Sequence, residues 1–432
     1  EGSNKSCVLV SRLIDHKASI IDLIVAPDHE YFISGDILGV LKIWESKRLE
    51  IDVTGEPCLS VNLGSPIKSI CMMKDRHCFA VSKEDGSVDI FRVDFVSTLE
   101  NFKLKVYPTT SITLLKHYKV GSNDQYASNL RFSLIRNKPY LFMVTPTSKI
   151  IGVDIRNMKE VYNLQNNIVH GSIQSLYVDE MQTWAVAGTN KGVIDLWDLE
   201  AGLCVKSTKF KHSSYGITRM VEVSNVLSSS KNNEKFVCFV GGTGDSDVII
   251  WDVERAQPRI VLCSSSKKSF STIELYSVCE VNDEIEDSIL DLYINKKHVE
   301  SDNGCTSVAY SSFDNSSKQG KILAAQHNRK IIEWDLSNFE DSRVVVDVRG
   351  KDGHVGDYPV YSETQVNSML TFVHERYISA KNKDTTASNR IGNGPKVVSK
   401  APCESISSLT YLQVPYKMVV CGDQSGAINI YR

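Results

Sequence analysis

Apolar and polar residues alternate in short runs along this chain, and the runs come in pairs. Seven stretches share a short apolar strand, a turn of Gly or small polar residues, and a second strand that mostly ends in an aromatic residue, often followed by Asp. The first four are YFISGDILGVLKIWE (ending near Trp44), CFAVSKEDGSVDIFR (Phe91), LFMVTPTSKIIGVDI (Val153) and WAVAGTNKGVIDLWD (Trp197). The last three are VCFVGGTGDSDVIIWD (Trp251), ILAAQHNRKIIEWD (Trp334) and MVVCGDQSGAINIYR (Tyr431). Two alternating runs across a tight turn predict a β-hairpin.

A further strand-like run precedes each hairpin, as in Ser19–Val25, Ile67–Met73, Leu130–Ile135 and Ile173–Val178. Another usually follows, as in Cys58–Leu63, Cys204–Ser207, Arg259–Cys263 and Arg343–Val348. Four antiparallel strands repeated in this way predict an all-β, seven-bladed β-propeller, and helical periodicity is nearly absent outside the insertions. The sequence stops at the end of a third strand, at Tyr431-Arg432, while Cys7–Leu13 precedes the first repeat without a blade of its own. The N-terminal strand is therefore expected to complete the last blade and remove an exposed edge.

Three Trp-Asp pairs stand in register in these repeats: Trp197-Asp198, Trp251-Asp252 and Trp334-Asp335, with Trp44-Glu45 a near match. On this pattern the chain resembles WD-repeat proteins over nearly its whole length. The resemblance implies a hydrogen-bonded network joining the Trp to a second-strand Ser or Thr, a His before the first strand and an Asp in the hairpin turn. The fifth repeat carries all four in His212, Thr243, Asp245 and Trp251. The first has His16, Ser34 and Trp44, with Leu38 where the turn Asp is expected. The fourth has His170 and Trp197, with Lys191 at that place.

The repeats average about 62 residues, against about 40–45 for a bare WD repeat, over a chain of 432. The excess falls at about 94–127, 264–303 and 350–402. The second insertion is acidic, and Tyr276, Glu284, Glu286, Asp287 and Tyr293 within it are candidate partner contacts. A net charge of −3 without a basic cluster argues against nucleic-acid binding. No apolar run approaches a membrane span, no secretory signal is present, and eleven Cys without a CxxC pair are expected to be reduced thiols. The start Glu1-Gly2-Ser3 is expected to belong to a piece of a longer chain.

Catalytic chemistry finds little support. There is no HExxH spacing, no GxSxG elbow and no helix after the glycine-rich Val240–Asp245 turn, so no metal, cofactor or phosphate cradle is expected. Phosphoinositide-binding propellers carry Phe-Arg-Arg-Gly, whereas Phe91-Arg92-Val93-Asp94 offers one Arg followed by an acid.

The opening stretch Leu13–His29, the fourth repeat Trp184–Asp198, a degraded third repeat and long late insertions resemble a narrower family. They are similar to the C-terminal WD domain of the kinase-like regulatory subunits of class III phosphatidylinositol 3-kinase, in the fungal vacuolar-protein-sorting form. The resemblance implies a non-catalytic scaffold, since the serine/threonine kinase-like domain lies elsewhere in such proteins. Implied partners are the lipid kinase catalytic subunit, a Beclin-family subunit and a coiled-coil adaptor. Implied places are endosomal, Golgi and vacuole-related membranes, reached peripherally, in protein sorting and autophagy. A Gα partner, or a phosphopeptide held by arginines such as Arg131, Arg219 and Arg329 around the channel, is an alternative, as is direct phosphoinositide binding.

Overall fold

In the computed structural model the described residues are 9–50, 56–74, 77–100, 103–179, 183–210, 216–223, 236–240, 248–253, 255–263, 275–277, 305–312, 320–326, 331–336, 342–346, 357–366, 369–379, 405–413 and 416–432. Apart from two short 3-10 turns their regular elements are all strands, and the arrangement is an all-β propeller. After β1 (Leu9–Leu13) the first sheet holds β2 (Ile20–Val25), β3 (Tyr31–Asp36), β4 (Val40–Glu45) and β5 (Leu59–Asn62). The second holds β6 (Ile67–Met72), β7 (Cys78–Lys83), β8 (Ser87–Glu100) and β9 (Lys103–Lys119). The third holds β10 (Asn129–Ile135), β11 (Lys138–Val144), β12 (Lys149–Asp154) and β13 (Lys159–Gln165).

The fourth sheet holds β14 (Ile173–Val178), β15 (Trp184–Thr189), β16 (Val193–Asp198) and β17 (Leu203–Phe210). The fifth holds β18 (Arg219–Val223), β19 (Phe236–Val240), β20 (Val248–Asp252) and β21 (Gln257–Cys263). A short β22 (Leu275–Ser277) lies on the edge of the fourth. The sixth holds β23 (Cys305–Ser312), β24 (Gly320–Gln326), β25 (Ile331–Asp335) and β26 (Arg343–Val346). The hairpin β27 (Asp357–Val366) and β28 (Met369–Ser379) follows. The chain ends in β29 (Ile406–Leu412), β30 (Met418–Asp423) and β31 (Ile428–Tyr431), beside which β1 completes the last of seven sheets among the described residues.

The first strands form the inner ring. β2 neighbours β6, then β10, β14, β18, β23 and β29 follow in turn, and β29 returns to β2. Apolar alternation explains the packing: each sheet buries both faces against its neighbours, and an apolar cluster fills every junction. The junction of the last and first sheets buries Leu13, Ile20, Phe32, Trp44, Ile428 and Ile430.

Small residues let the sheets approach. Gly35, Gly188 and Gly422 sit at matching places on second strands, and a Cβ there would lie 2.5–2.7 Å from Ile70, Ile217 and Ile20 of the next sheet. Opposite them on the first strands stand Asp22, Ser175 and Ser408, each beside a bulge in the ladder.

The insertions are used as strands where they are described. Residues 94–119 lengthen β8 and β9 into a hairpin whose pairing runs out to Glu100 and Lys103. β22 extends the fourth sheet, and β28 pairs in parallel with β21, so a hairpin that follows the sixth sheet lies on the edge of the fifth. The third repeat, degraded in its motif, keeps all four strands. Cys71 and Cys78 fall on adjacent strands, and Cys58, Cys71, Cys78, Cys204 and Cys421 form no disulfide.

Candidate functional site

In the first sheet the side chains expected of a WD network meet, with one correction. The Trp44 indole N–H donates to Ser34 Oγ at 2.8 Å, and Ser34 Oγ lies 2.7 Å from His16 Nε2. His16 Nδ1 lies 2.8 Å from Asp36 Oδ2. Asp36 Oδ1 accepts the N–H groups of Leu38 at 3.0 Å and Val40 at 2.9 Å. The carboxylate of this turn is thus Asp36 and not a residue at position 38, where Leu38 is exposed. The signal for it was the spacing Asp36-x-x-Gly39: Gly39 takes φ +90 and its N–H closes the turn on Asp36 O at 3.2 Å. Asp423 does the same three residues before Gly426, accepting from Ser425 and Ala427.

Donors and acceptors in this chain run one way. With Trp44 donating to Ser34, and Ser34 to Nε2, the ring of His16 carries its proton on Nδ1 and donates to Asp36. Burial lowers the His16 pKa below its ordinary value of 6.5, against the opposing pull of Asp36. Burial lowers His29 likewise. Below a pH of about 6.5 the unfolded chain takes up a proton that folded His16 refuses, so the stability of the neutral state is present above that value. It is lost as the pH falls from there towards the lower folded pKa. Unfolding free energies from urea denaturation between pH 7.5 and 5.5 should fall by at most about 1.4 kcal/mol per pH unit for this group, and less steeply in His16→Gln. Parallel slopes for the two proteins would refute the assignment to His16.

The fourth sheet is built differently. His170 Nδ1 lies 2.9 Å from Asp195 Oδ1, on the third strand, and Asn166 donates to Asp195 Oδ2 at 2.8 Å. Close as they are, His170 Nδ1 and Asp195 Oδ1 have no hydrogen-bond partner among the described residues. Lys191, in the turn, donates to Val169 O at 3.0 Å. The buried Trp197 N–H has no partner among the described residues. Trp44→Phe should therefore cost about 1–2 kcal/mol more than Trp197→Phe, because only the first orphans a hydroxyl. Equal losses in a denaturation series would count against the network.

Trp251 and Trp334 fill the junctions on either side of the fifth sheet. The Asp of each pair serves the following turn: Asp198 accepts from Glu200 and Ala201 at 2.8 and 3.1 Å, and Asp252 from Arg255 at 3.1 Å. Asp335 instead donates its own N–H to Ser342 Oγ at 2.9 Å. His212, Thr243 and Asp245 of the fifth repeat lie outside the described residues, as do Arg329, Glu284, Glu286, Asp287 and Tyr293. Tyr276 lies on β22, its backbone opposite Lys209.

The inner ring contains polar residues that sequence reasoning missed. Asp22 Oδ2 accepts the Ile70 N–H of the second sheet at 3.2 Å, and Ser69 Oγ accepts Leu130 N–H of the third at 3.2 Å. Ser175 donates to Ile217 O at 2.8 Å, and Ser408 accepts Leu23 N–H at 2.9 Å. Each group stitches one sheet to the next. A small polar residue two places after the first apolar residue of an inner strand was the available signal.

The surface offers candidates of another kind. The sheet-to-sheet connections and the turns between second and third strands share one face, because a first strand starts where a second strand ends. On that face Ile14, Ile37 and Leu38 are exposed, with Ile37 N–H bonded to Ser19 O at 3.1 Å. Ile168 and Val169 are exposed on the same face between the third and fourth sheets. Exposed apolar side chains gathered on one face make it a candidate contact surface. Arg92, half exposed, lies 3.7 Å from Asp94. Among the described residues no three His, Cys, Asp or Glu side chains converge as a metal site, and no helix is long and apolar enough to cross a membrane.

No family model matches the chain. It is 28% identical over 429 residues to a putative serine/threonine-protein kinase VPS15 of Komagataella pastoris, covering 98% of this chain and 30% of that protein. It is 26% identical over 262 residues to the serine/threonine-protein kinase VPS15 of Saccharomyces cerevisiae, covering 60% of this chain and 17% of that one. For VPS15 of Arabidopsis thaliana the identity is 22% over 445 residues, 98% of this chain and 28% of the relative. The chain spans less than a third of the length of each of these relatives. Its similarity is to VPS15 proteins over its whole length, and its propeller agrees with a WD-like domain of such a protein.

Proposed function

We propose that this chain is the WD-repeat propeller of a VPS15-type kinase-like regulatory subunit, a seven-bladed ring that acts as a non-catalytic scaffold. The observation that carries the reading is the match of 98% of this chain to under a third of a kinase-named relative. The chain folds as a ring in which the buried side chains of His16, Ser34, Asp36, Asp22 and Ser69 are spent on hydrogen bonds within and between sheets. Such a ring presents rigid faces and variable loops for other proteins.

On this reading the ring docks subunits of a class III phosphatidylinositol 3-kinase complex: the lipid kinase, a Beclin-family subunit and a coiled-coil adaptor. It reaches endosomal, Golgi and vacuole-related membranes peripherally through that complex, in protein sorting and autophagy. Calorimetry of the 432-residue chain against a purified Beclin-family coiled-coil pair tests the proposal. Saturable binding, with a Kd of about a micromolar or tighter, is expected. Deleting 264–303, or changing Leu38→Asp in the exposed turn, should weaken that binding about tenfold or more while the unfolding midpoint holds. No binding by a folded chain would overturn the scaffold role with this partner, and unchanged affinity in both variants would overturn these two surfaces.

A further inference from the structure

Five charged side chains stand on the described inner strands: Asp22, Lys68, Arg131, Arg219 and Glu222. Lys68 is engaged by Glu84 at 3.3 Å and lies over the Tyr126 ring. Glu222 is exposed next to the last residue of β18, far along the strand from Arg219 at its start. Asp22, Arg131 and Arg219 remain, and Arg219 meets Asp22 across the axis of the ring.

Arg219 of the fifth sheet donates through Nη2 to Asp22 Oδ1 at 3.2 Å and to Ile21 O at 3.4 Å, both of the first sheet. These sheets are not neighbours in the ring, so the side chain crosses the channel. Asp22 is already well supplied, since Oδ1 also accepts Leu23 N–H and Oδ2 accepts Ile70 N–H, each at 3.2 Å. Arg131 has no carboxylate partner among the described residues: its guanidinium lies 5.9 Å from the ring centre of Tyr177 on the neighbouring inner strand. Burial pushes the Cys71 thiol up to about 11, with the charge of Arg131 opposing the rise and that of Asp22 adding to it.

We propose that the central channel is an oxyanion-binding site, in which Arg131 and Arg219 hold a phosphate-sized anion and Asp22 keeps Arg219 extended across the axis. One carboxylate answers one of two guanidiniums and leaves a net positive charge between low-dielectric walls, which focus its field. A guanidinium lying against an aromatic ring keeps its N–H edge available, and its fork matches the oxygens of phosphate. Free phosphate and a phosphoserine side chain share this chemistry. The site stands independently of the scaffold reading.

Calorimetry and thermal unfolding of the 432-residue chain with sodium phosphate, at ionic strength fixed with chloride, test the site. Saturable binding and a rising unfolding midpoint are expected. Arg131→Ala should lower the affinity about tenfold or more with its own midpoint little changed, Arg131→Lys should recover only part, and Lys68→Ala should bind as the wild type does. A phosphoserine peptide and its unphosphorylated form distinguish the sources. Tighter binding of the phosphopeptide assigns the site to a protein partner, and no gain over phosphate assigns it to a free anion. Absence of saturable binding by the folded chain, or equal loss in Arg131→Ala and Lys68→Ala, overturns the proposal.

Discussion

Asp36→Ala is expected to destabilise the ring by on the order of 4 kcal/mol, since a carboxylate hydrogen bond is worth roughly 1.5–3 kcal/mol and this one makes three. Two backbone N–H groups of the turn and Nδ1 of His16 lose their acceptor together. Asp36 is 1% exposed and His16 4%, so water does not replace the carboxylate without opening the junction of the first and last sheets. The effect should extend along the chain of donors: once His16 is released, Ser34 and the Trp44 N–H lose the geometry that satisfies them. A double-mutant cycle of Asp36→Ala with His16→Leu, read from urea denaturation, measures that coupling. An interaction energy of about 1 kcal/mol or more is expected, and strict additivity would sink the idea of a single connected network. Asp423→Ala removes a turn carboxylate without such a chain, and should cost less.

Strands were legible in the sequence because alternation fixes which residues face each junction, as in Ile33, Leu41 and Ile43 of the first repeat. The order of four strands per repeat followed from the spacing of the turns. What stayed hidden depends on residues distant in sequence. Ser69 meets Leu130 at a separation of 61 residues, and Ser408 meets Leu23 at 385. Neither pairing has a local pattern, since each requires the ring to close first. The turn carboxylate was misplaced for a local reason. Its position is set by the left-handed Gly39, and counting back from that glycine, not from the Trp, gives Asp36. The addition of β28 to β21 was illegible too, because parallel pairing carries no turn signal.

Removing residues 1–13 is expected to have the larger effect of the two, costing more than about 5 kcal/mol and abolishing a single cooperative transition. Leu13, 1% exposed, packs with Phe32, Trp44, Ile428 and Ile430, and truncating one such leucine alone costs about 2–5 kcal/mol. The backbone adds to this. Leu9, Ser11, Arg12 and Leu13 pair with Tyr431, Ile430, Asn429 and Ile428, so without β1 the edge of β31 is bare. The last sheet has little to spare. Asn429 and Asp423 are fully buried, yet both amide atoms of the first and Oδ2 of the second lack partners among the described residues. Each such atom carries a desolvation cost of about 1–3 kcal/mol. Circular dichroism melting of the truncated chain should show an early, broad loss of structure, and a peptide of residues 7–13 added in trans should restore the wild-type midpoint by strand addition. Leu13→Asp, which keeps the backbone pairing and disrupts the cluster, should fall between the two. A truncated chain that melts with the wild-type midpoint would mean that the junctions between sheets, not the ladder from β1 to β31, hold the ring closed.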